Sequence, residues 1–148
     1  SHPAGPLTGL RVLDLTRVLA GPTATQMLGD LGAEVIKIER NGSGDDTRGF
    51  APPFWPETRE SAYFLGVNRN KKSVTLDIAT KEGQAVVLRL LEHCDILVEN
   101  FKVGALAKYG LGWEQLKARF PRLIYCSITG FGQTGPYAPR PGYDALIQ

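Results

Sequence analysis

Cysteine is scarce in this chain. Its 148 residues include two, Cys94 and Cys126, in the apolar contexts LLEHCDILVE and LIYCSITG, with no C-x-x-C pair and no histidine at ligand spacing. That argues against the common zinc patterns, and both thiols are expected to be free and buried. His93 adjoins Cys94, but adjacent helical positions do not face one another. Asn41 to Asp46 holds two carboxylates at a spacing that fits no calcium loop, so no metal is expected. Excess charge is equally scarce. Seventeen basic against fifteen acidic side chains leave a formal net charge of +2, too slight for the clustered basic face of a nucleic-acid binder. No run of eighteen apolar residues could cross a membrane, and SHPAGPL lacks the basic and apolar regions of a secretory signal. The expectation is a cytoplasmic protein with no nucleic-acid and no membrane partner, the mitochondrial matrix being the alternative in a eukaryote. Residues 1–8 read as a tag remnant or a disordered N-terminus.

What the chain does contain is an alternation of short apolar runs and helical patterns. Arg11 to Leu15 suits a buried strand, and Thr16 to Gly21 a loop. Pro22 then suits the first position of a helix whose Ala24, Met27, Leu28 and Leu31 form an apolar stripe and whose stop is Gly32. Glu34 to Glu39 is a second strand. Asn41 to Glu60 is rich in glycine and proline and has no predicted regular structure, although Phe50, Phe54 and Trp55 argue for docking onto the body. Ser61 to Leu65 reads as a helical turn and Asn68 to Lys72 as a solvated turn. Val74, Leu76 and Ile78 alternate as a half-buried strand. Thr80 caps a helix reaching about Cys94, Asp95 to Glu99 is a strand, and short helices follow near Ala105 to Tyr109 and Trp113 to Phe120. Leu123 to Ile128 is the fifth strand, and a glycine-rich loop leads to Asp144, read as the N-cap of a helix.

Five strands interleaved with helices predict an α/β fold, an open, mostly parallel Rossmann-like sheet with flanking helices. Such sheets bind ligands beyond the carboxyl ends of their strands. The loops at those ends carry Arg17, Arg40, Lys102 and nearby Lys108, which favours a polyanionic ligand with phosphates. Taken singly, each cation reads more readily as solvated surface, a reading that weakens for several on one rim. A dinucleotide oxidoreductase fits poorly. The first loop, TRVLAGP, has Gly21 alone where G-x-G-x-x-G is required, and Pro22 removes an N–H that could cradle a pyrophosphate. No G-x-x-x-x-G-K-[ST] occurs either.

The strings GLRVLDLTRVLAGPTATQMLGDLGAEVIKIER, GDDTRG, VNRNKKSVTLDI, DILVENFKVGAL, SITGFGQTGPY and PGYDALIQ, in that order from Gly9 to Gln148, resemble the N-terminal portion of family III (CaiB/BaiF-type) coenzyme A transferases. The resemblance implies a CoA-binding portion over 9–148 of a longer chain. Leu19 and Ala20 match the loop that receives the CoA thiol end, and Arg40 matches an arginine on the nucleotide phosphates. Leu76, Asp77, Ile78 and Ala79 match a strand end lining the adenosine. Asn100, Phe101 and Lys102 match the next rim, Lys108 stands where some relatives have a phosphate-binding arginine, and Gly142, Tyr143 and Asp144 match a segment beside the thioester. Each also has a plain structural reading. Ala20 and Gly21 allow close strand–helix packing, Phe101 suits a core, and Asp144 suits a cap.

In the family an aspartate carboxylate attacks the acyl-CoA thioester, giving a mixed anhydride and CoA thiolate, which then forms an enzyme thioester that the acceptor acid resolves. The backbone of a glycine loop stabilises the oxyanions. The resemblance puts that nucleophile beyond Gln148, so no residue here is expected to be catalytic and the 148 residues alone are expected to be inactive. The implied partners are acyl-CoA and carboxylic acid substrates. No cofactor is expected, the coenzyme A thioester being a substrate, and the full-length protein is expected to be an interlocked homodimer. Two alternatives stand beside this reading: an α-methylacyl-CoA racemase-like enzyme and a non-catalytic nucleotide or CoA-binding module. Racemases of this fold carry GHD where this chain has GYD, and a tyrosine with an ordinary pKa near 10 is a poor proton shuttle. Among transferases, the strings LTRVLAGP, VNRNKKS and SITGFGQTGP are closest to dicarboxylate enzymes that use succinyl-CoA.

Overall fold

The computed structural model describes residues 4–50, 53–58 and 60–148. Five strands, β1 (Arg11–Asp14), β2 (Glu34–Glu39), β3 (Lys71–Thr75), β4 (Ile96–Glu99) and β5 (Ile124–Ser127), pair in parallel in the order β3-β2-β1-β4-β5. Helices α1 (Ala20–Asp30), α2 (Ala62–Val67), α3 (Lys81–Leu91), α4 (Trp113–Arg119) and α5 (Asp144–Ile147) connect and flank them, with 3-10 turns at Asp46–Gly49 and Leu106–Tyr109. This is the open parallel α/β sheet that the alternation of elements predicts.

The period of two along each strand sorts its side chains between two apolar layers. Leu13 and Leu97 face one way, where Val87 and Leu91 of α3 and Leu116 of α4 close the larger core. Val12, Val35 and Val98 face the other way, beneath Leu28 of α1. Parallel strands covered on both faces read as continuous apolar runs, which is why RVLDL and DILVE are legible as strands.

Helix α1 departs from the expected pattern. It begins at Ala20 with Leu19 as N-cap, two residues before the predicted start, and its buried positions are Gly21, Pro22, Thr25, Gln26 and Gly29. Met27 and Leu31, assigned to the buried stripe, are 59% and 46% exposed. The reason lies under its first turns, where the sheet presents the buried carboxylate of Asp14, and Thr25 Oγ1 donates to Asp14 Oδ2 at 2.6 Å. The approach is tight. A Cβ on Gly21 would stand 2.4 Å from Thr16 Cβ. Pro22, third in the helix, needs no N–H partner there. The stop is as predicted: Gly32 sits at φ +106°, its N–H bonds Gly29 O, and Ala33 N–H bonds Leu28 O, the paired bonds of a Schellman motif.

Strand β3 also differs. It runs Lys71–Thr75, three residues before the predicted alternation, and the turn shrinks to the residues just before it, where Asn70 takes φ +62°. Lys71 is no solvated turn residue: its ammonium lies 3.0 Å from Asp14 Oδ2, both side chains nearly inaccessible. Leu76, Asp77, Ile78 and Ala79 therefore follow the strand end. The Asn41 to Glu60 segment holds a 3-10 turn and a bridge between Phe54 and Ser61. Phe50 docks edge-on against Tyr63 with ring centroids 6.0 Å apart, whereas Phe54 and Trp55 are exposed.

The thiols are free, but the expectation of burial is corrected. Cys126 is exposed and Cys94 half-buried. β5 is an edge strand, and on the layer beneath α1 its Ile124, paired with Ile96, is 61% exposed. Of residues 1–8, Ser1 to Pro3 lie outside the described residues, while Gly5 to Thr8 form a turn from which Leu7 N–H donates to Leu31 O.

Candidate functional site

The strand order locates the site before any residue is considered. The chain winds outward from β1 through β2 to β3, then returns to the other side of β1 as β4. At such a reversal the loops leaving the two adjacent strands diverge to opposite faces and open a crevice at their carboxyl ends. The loops concerned are Thr16 to Leu19 after β1 and Asn100 to Val103 after β4.

Both are held rigidly. Arg17 N–H donates to Asn100 Oδ1 at 3.0 Å, and Asn100 Nδ2 donates to Arg17 O at 2.8 Å, so one amide side chain grips the backbone in both senses. The next residue, Val18, stands at φ +71°. A β-branched side chain resists that conformation, which persists only where the surroundings over-determine it. The second restraint comes from Asp45 Oδ1, which accepts from Val18 N–H at 3.3 Å.

Beneath these loops lies a buried polar layer that reading the sequence does not reveal. Asp14 accepts from Thr16 N–H and Oγ1, from Thr25 Oγ1 and from Lys71. Lys37 donates to Thr16 O at 2.9 Å and lies 2.8 Å from Asp45 Oδ2. Burial works to raise the Asp45 carboxyl, but the Lys37 ammonium and Thr47 N–H outweigh it and hold the pKa below the ordinary carboxylate value. Burial pushes the Lys71 ammonium below its ordinary value, against the pull of Asp14. The available signal was a charged residue inside each short apolar run, Asp14 in RVLDL and Lys37 in EVIKIE.

Five of the expected positions, from three separate stretches of chain, line one cleft of 410 Å³ at the switch point: Ala20, Asn100, Phe101, Lys102 and Gly142. Its far wall depends on two glycines. A Cβ built on either Gly130 or Gly142 would fall 2.4 Å from the other's Cα. Lys102 and Val103 separate this cleft from a second one of 650 Å³, whose lining includes Glu99, Trp113, Tyr125, Ser127 and Gln133. Glu99 is buried and accepts from Phe101 N–H at 2.8 Å and from Ser127 Oγ, which in turn accepts from Gln133 Nε2. Burial pushes the Glu99 carboxyl up despite the bonds from Ser127 and Phe101.

The remaining expected residues lie elsewhere along the same carboxyl edge. Leu19 caps α1 and is half-exposed. Arg40 follows β2, with its guanidinium 2.5 Å from Asp46 Oδ1 in an exposed pair. At the β3 end, Leu76 and Ile78 pack on the core, while Asp77 and Ala79 are exposed. Lys108 is exposed on the Leu106–Tyr109 turn. Tyr143, 71% exposed, is the N-cap of α5 without a side-chain cap bond. Asp144 is that helix's first residue, not its cap, and its carboxylate accepts from Gln148. With strands about 4.8 Å apart, a five-stranded edge runs roughly 19 Å, so these residues could be met together only by an extended ligand.

The sequence model of CoA-transferase family III matches residues 7–148. Among curated relatives, the succinyl-CoA:glutarate CoA-transferase of Mus musculus is 58% identical over 95% of this chain and 32% of its own length. The succinate–glutarate CoA-transferase of Agrobacterium fabrum is 54% identical over 97% of this chain and 37% of its own. A CAIB/BAIF family protein from Brucella suis superposes with a TM-score of 0.92 at 55% identity, over 99% of this chain and 39% of that one. The chain thus spans about a third of the length of the curated relatives it matches, and by its sequence it belongs to CoA-transferase family III.

Proposed function

We propose that this chain is the CoA-binding portion of an enzyme that moves coenzyme A from an acyl-CoA to a carboxylic acid. The observation that carries the reading is the convergence of Ala20, Asn100, Phe101, Lys102 and Gly142 on one cleft at the topological switch point. From there the edge extends past Arg40 to the β3 end, a length suited to a thiol arm at one end and a nucleotide at the other. The cations Arg40, Lys102 and Lys108 along it suit the phosphates. Succinyl-CoA as donor and a dicarboxylate such as glutarate as acceptor are supported by the names of the mouse and Agrobacterium relatives.

In the transfer we propose, an aspartate carboxylate attacks the acyl-CoA thioester, releasing CoA thiolate and forming a mixed anhydride. The thiolate then attacks the aspartyl carbonyl, releasing the donor acid and leaving CoA on the aspartate as a thioester. The acceptor carboxylate takes up CoA by the reverse steps, freeing the aspartate. None of the residues described above is assigned that role. Tyr143 stands where racemases of this fold carry the proton-moving histidine, which favours transfer over racemisation.

Calorimetry with CoA tests the binding reading. Heat is expected, with competition by 3′-phospho-ADP, and Arg40→Ala is expected to weaken CoA about tenfold by removing a charge-assisted contact while leaving any response to NAD unchanged. Absence of both heat and competition would sink CoA binding. For the transfer itself the full-length protein is assayed with succinyl-CoA and glutarate. Failure to exchange CoA between any acyl-CoA and any carboxylate refutes it.

A further inference from the structure

Arg17, one of the rim cations, is held in the structure through its backbone. Its peptide N–H and C=O are both held by Asn100, so the base of its side chain is fixed. Its guanidinium lies over the Phe101 ring, 4.7 Å from the centroid, and Phe101 lines the 410 Å³ cleft. Among the described residues the guanidinium makes no hydrogen bond and no ion pair. Other cations drawn into the body are matched: Lys37 by Asp45, Lys71 by Asp14 and Arg48 by Glu39. For Arg17, burial and then the like charge of Arg40 act against the positive form and outweigh the pull of Asp46 and Asp45; Arg40 is itself matched by Asp46.

Five donors held in a fixed fork, half-buried and without a hydrogen-bond or ion-pair partner among the described residues, are arranged for a planar or tetrahedral oxyanion that is not part of the chain. We infer that Arg17 binds an oxyanion of the substrate at the mouth of the switch-point cleft, with the Phe101 ring beneath the guanidinium and Asn100 fixing its base. The inference rests on the CoA-transfer reading. That reaction brings two sources of the oxyanion: a phosphate of CoA, or a carboxylate of the acid.

The test uses the full-length protein with Arg17→Gln and Arg17→Lys. Affinity is measured calorimetrically for CoA and for pantetheine, KM is measured for the acid substrate, and thermal unfolding is followed without ligand. If the oxyanion is a phosphate, Arg17→Gln weakens CoA by about 10- to 100-fold, the range of a charge-assisted hydrogen-bonded pair, and leaves pantetheine unchanged. If it is a carboxylate, KM for the acid rises by a similar factor and CoA affinity holds. In both cases Arg17→Lys recovers part of the loss, since it keeps the charge but not the fork. Unfolding of the free Arg17→Gln protein occurs at the same or a higher temperature, because the cost of burying the charge has been removed. A purely structural Arg17 would instead lower the unfolding temperature and leave both affinities within twofold, and that result overturns the inference. Wild-type protein that binds CoA while Arg17→Gln binds it equally, with unchanged KM for the acid, removes this inference alone. Wild-type protein that neither binds nor transfers CoA removes the CoA reading as well.

Discussion

At Arg40 the free protein already shows what a phosphate would have to displace. Asp46 holds the guanidinium in an exposed pair, and exposed pairs contribute little, so a doubly charged oxygen cluster can take over the contact. Asp46→Asn is therefore expected to tighten CoA binding about two- to fivefold, the range of a surface pair, as measured by calorimetry. Weaker binding would mean that Asp46 orients Arg40 instead of competing for it. Two of the buried carboxylates, Asp45 and Glu99, respond to pH in opposite directions. Asp45 has a folded-state pKa below its ordinary 3.8, so its contribution is present above that value and is lost as pH falls through the folded value. Glu99 has a folded-state pKa above its ordinary 4.5. Its contribution is fully present below 4.5 and is lost as pH rises through the raised value. Glu99→Gln, which can still accept from Phe101 N–H and donate to Ser127, is expected to flatten the fall in stability as pH rises above 4.5, read by urea denaturation at each pH. An unchanged slope would show that Glu99 does not titrate in that window.

Among the elements, α1 is where periodicity misleads. Ala24, Met27, Leu28 and Leu31 share a helical face, yet the helix turns Gly21, Thr25 and Gly29 to the sheet, because an unpartnered buried carboxylate costs more than two exposed apolar side chains gain by burial. Gly21→Ala is expected to destabilise by about 1–3 kcal/mol through overpacking against Thr16, whereas Met27→Gln should change stability by no more than about 0.5 kcal/mol, both by chemical denaturation. Equal costs would mean that the expected stripe, not the polar face, holds the helix. β3 follows the same logic. Alternation of Val74, Leu76 and Ile78 is a local pattern, but Lys71 is drawn into the sheet by Asp14, some sixty residues earlier in the chain, and takes the strand's first position. The Gly32 stop was legible because a left-handed C′ residue is a local requirement that glycine meets alone.

The two faces of the sheet are unequally covered. α3 and α4 close one layer, whereas the layer under α1 leaves Ile124 and Cys126 of the edge strand exposed. A maleimide at pH 7.5 is accordingly expected to label Cys126 quickly and Cys94 slowly, since burial pushes the Cys94 thiol up to about 11 and the thiolate is the reacting form. Mass spectrometry of the labelled peptides checks this, and preferential labelling of Cys94 would show that the β5 face is covered in solution. At this scale the open parallel sheet was readable from apolar runs alternating with helices. The family resemblance rests on short strings whose order survives in the linear sequence, so it too could be read there. What the sequence could not decide was which strands became neighbours. The order β3-β2-β1-β4-β5 brings Asn100 to Arg17 and Lys71 to Asp14. Local propensity and periodicity act over a few residues, whereas charge neutralisation and backbone clamping act between residues far apart in the chain. Those long-range pairings set the strained loop, the burial of Lys37 and Lys71, and the place of the Arg17 guanidinium over the Phe101 ring.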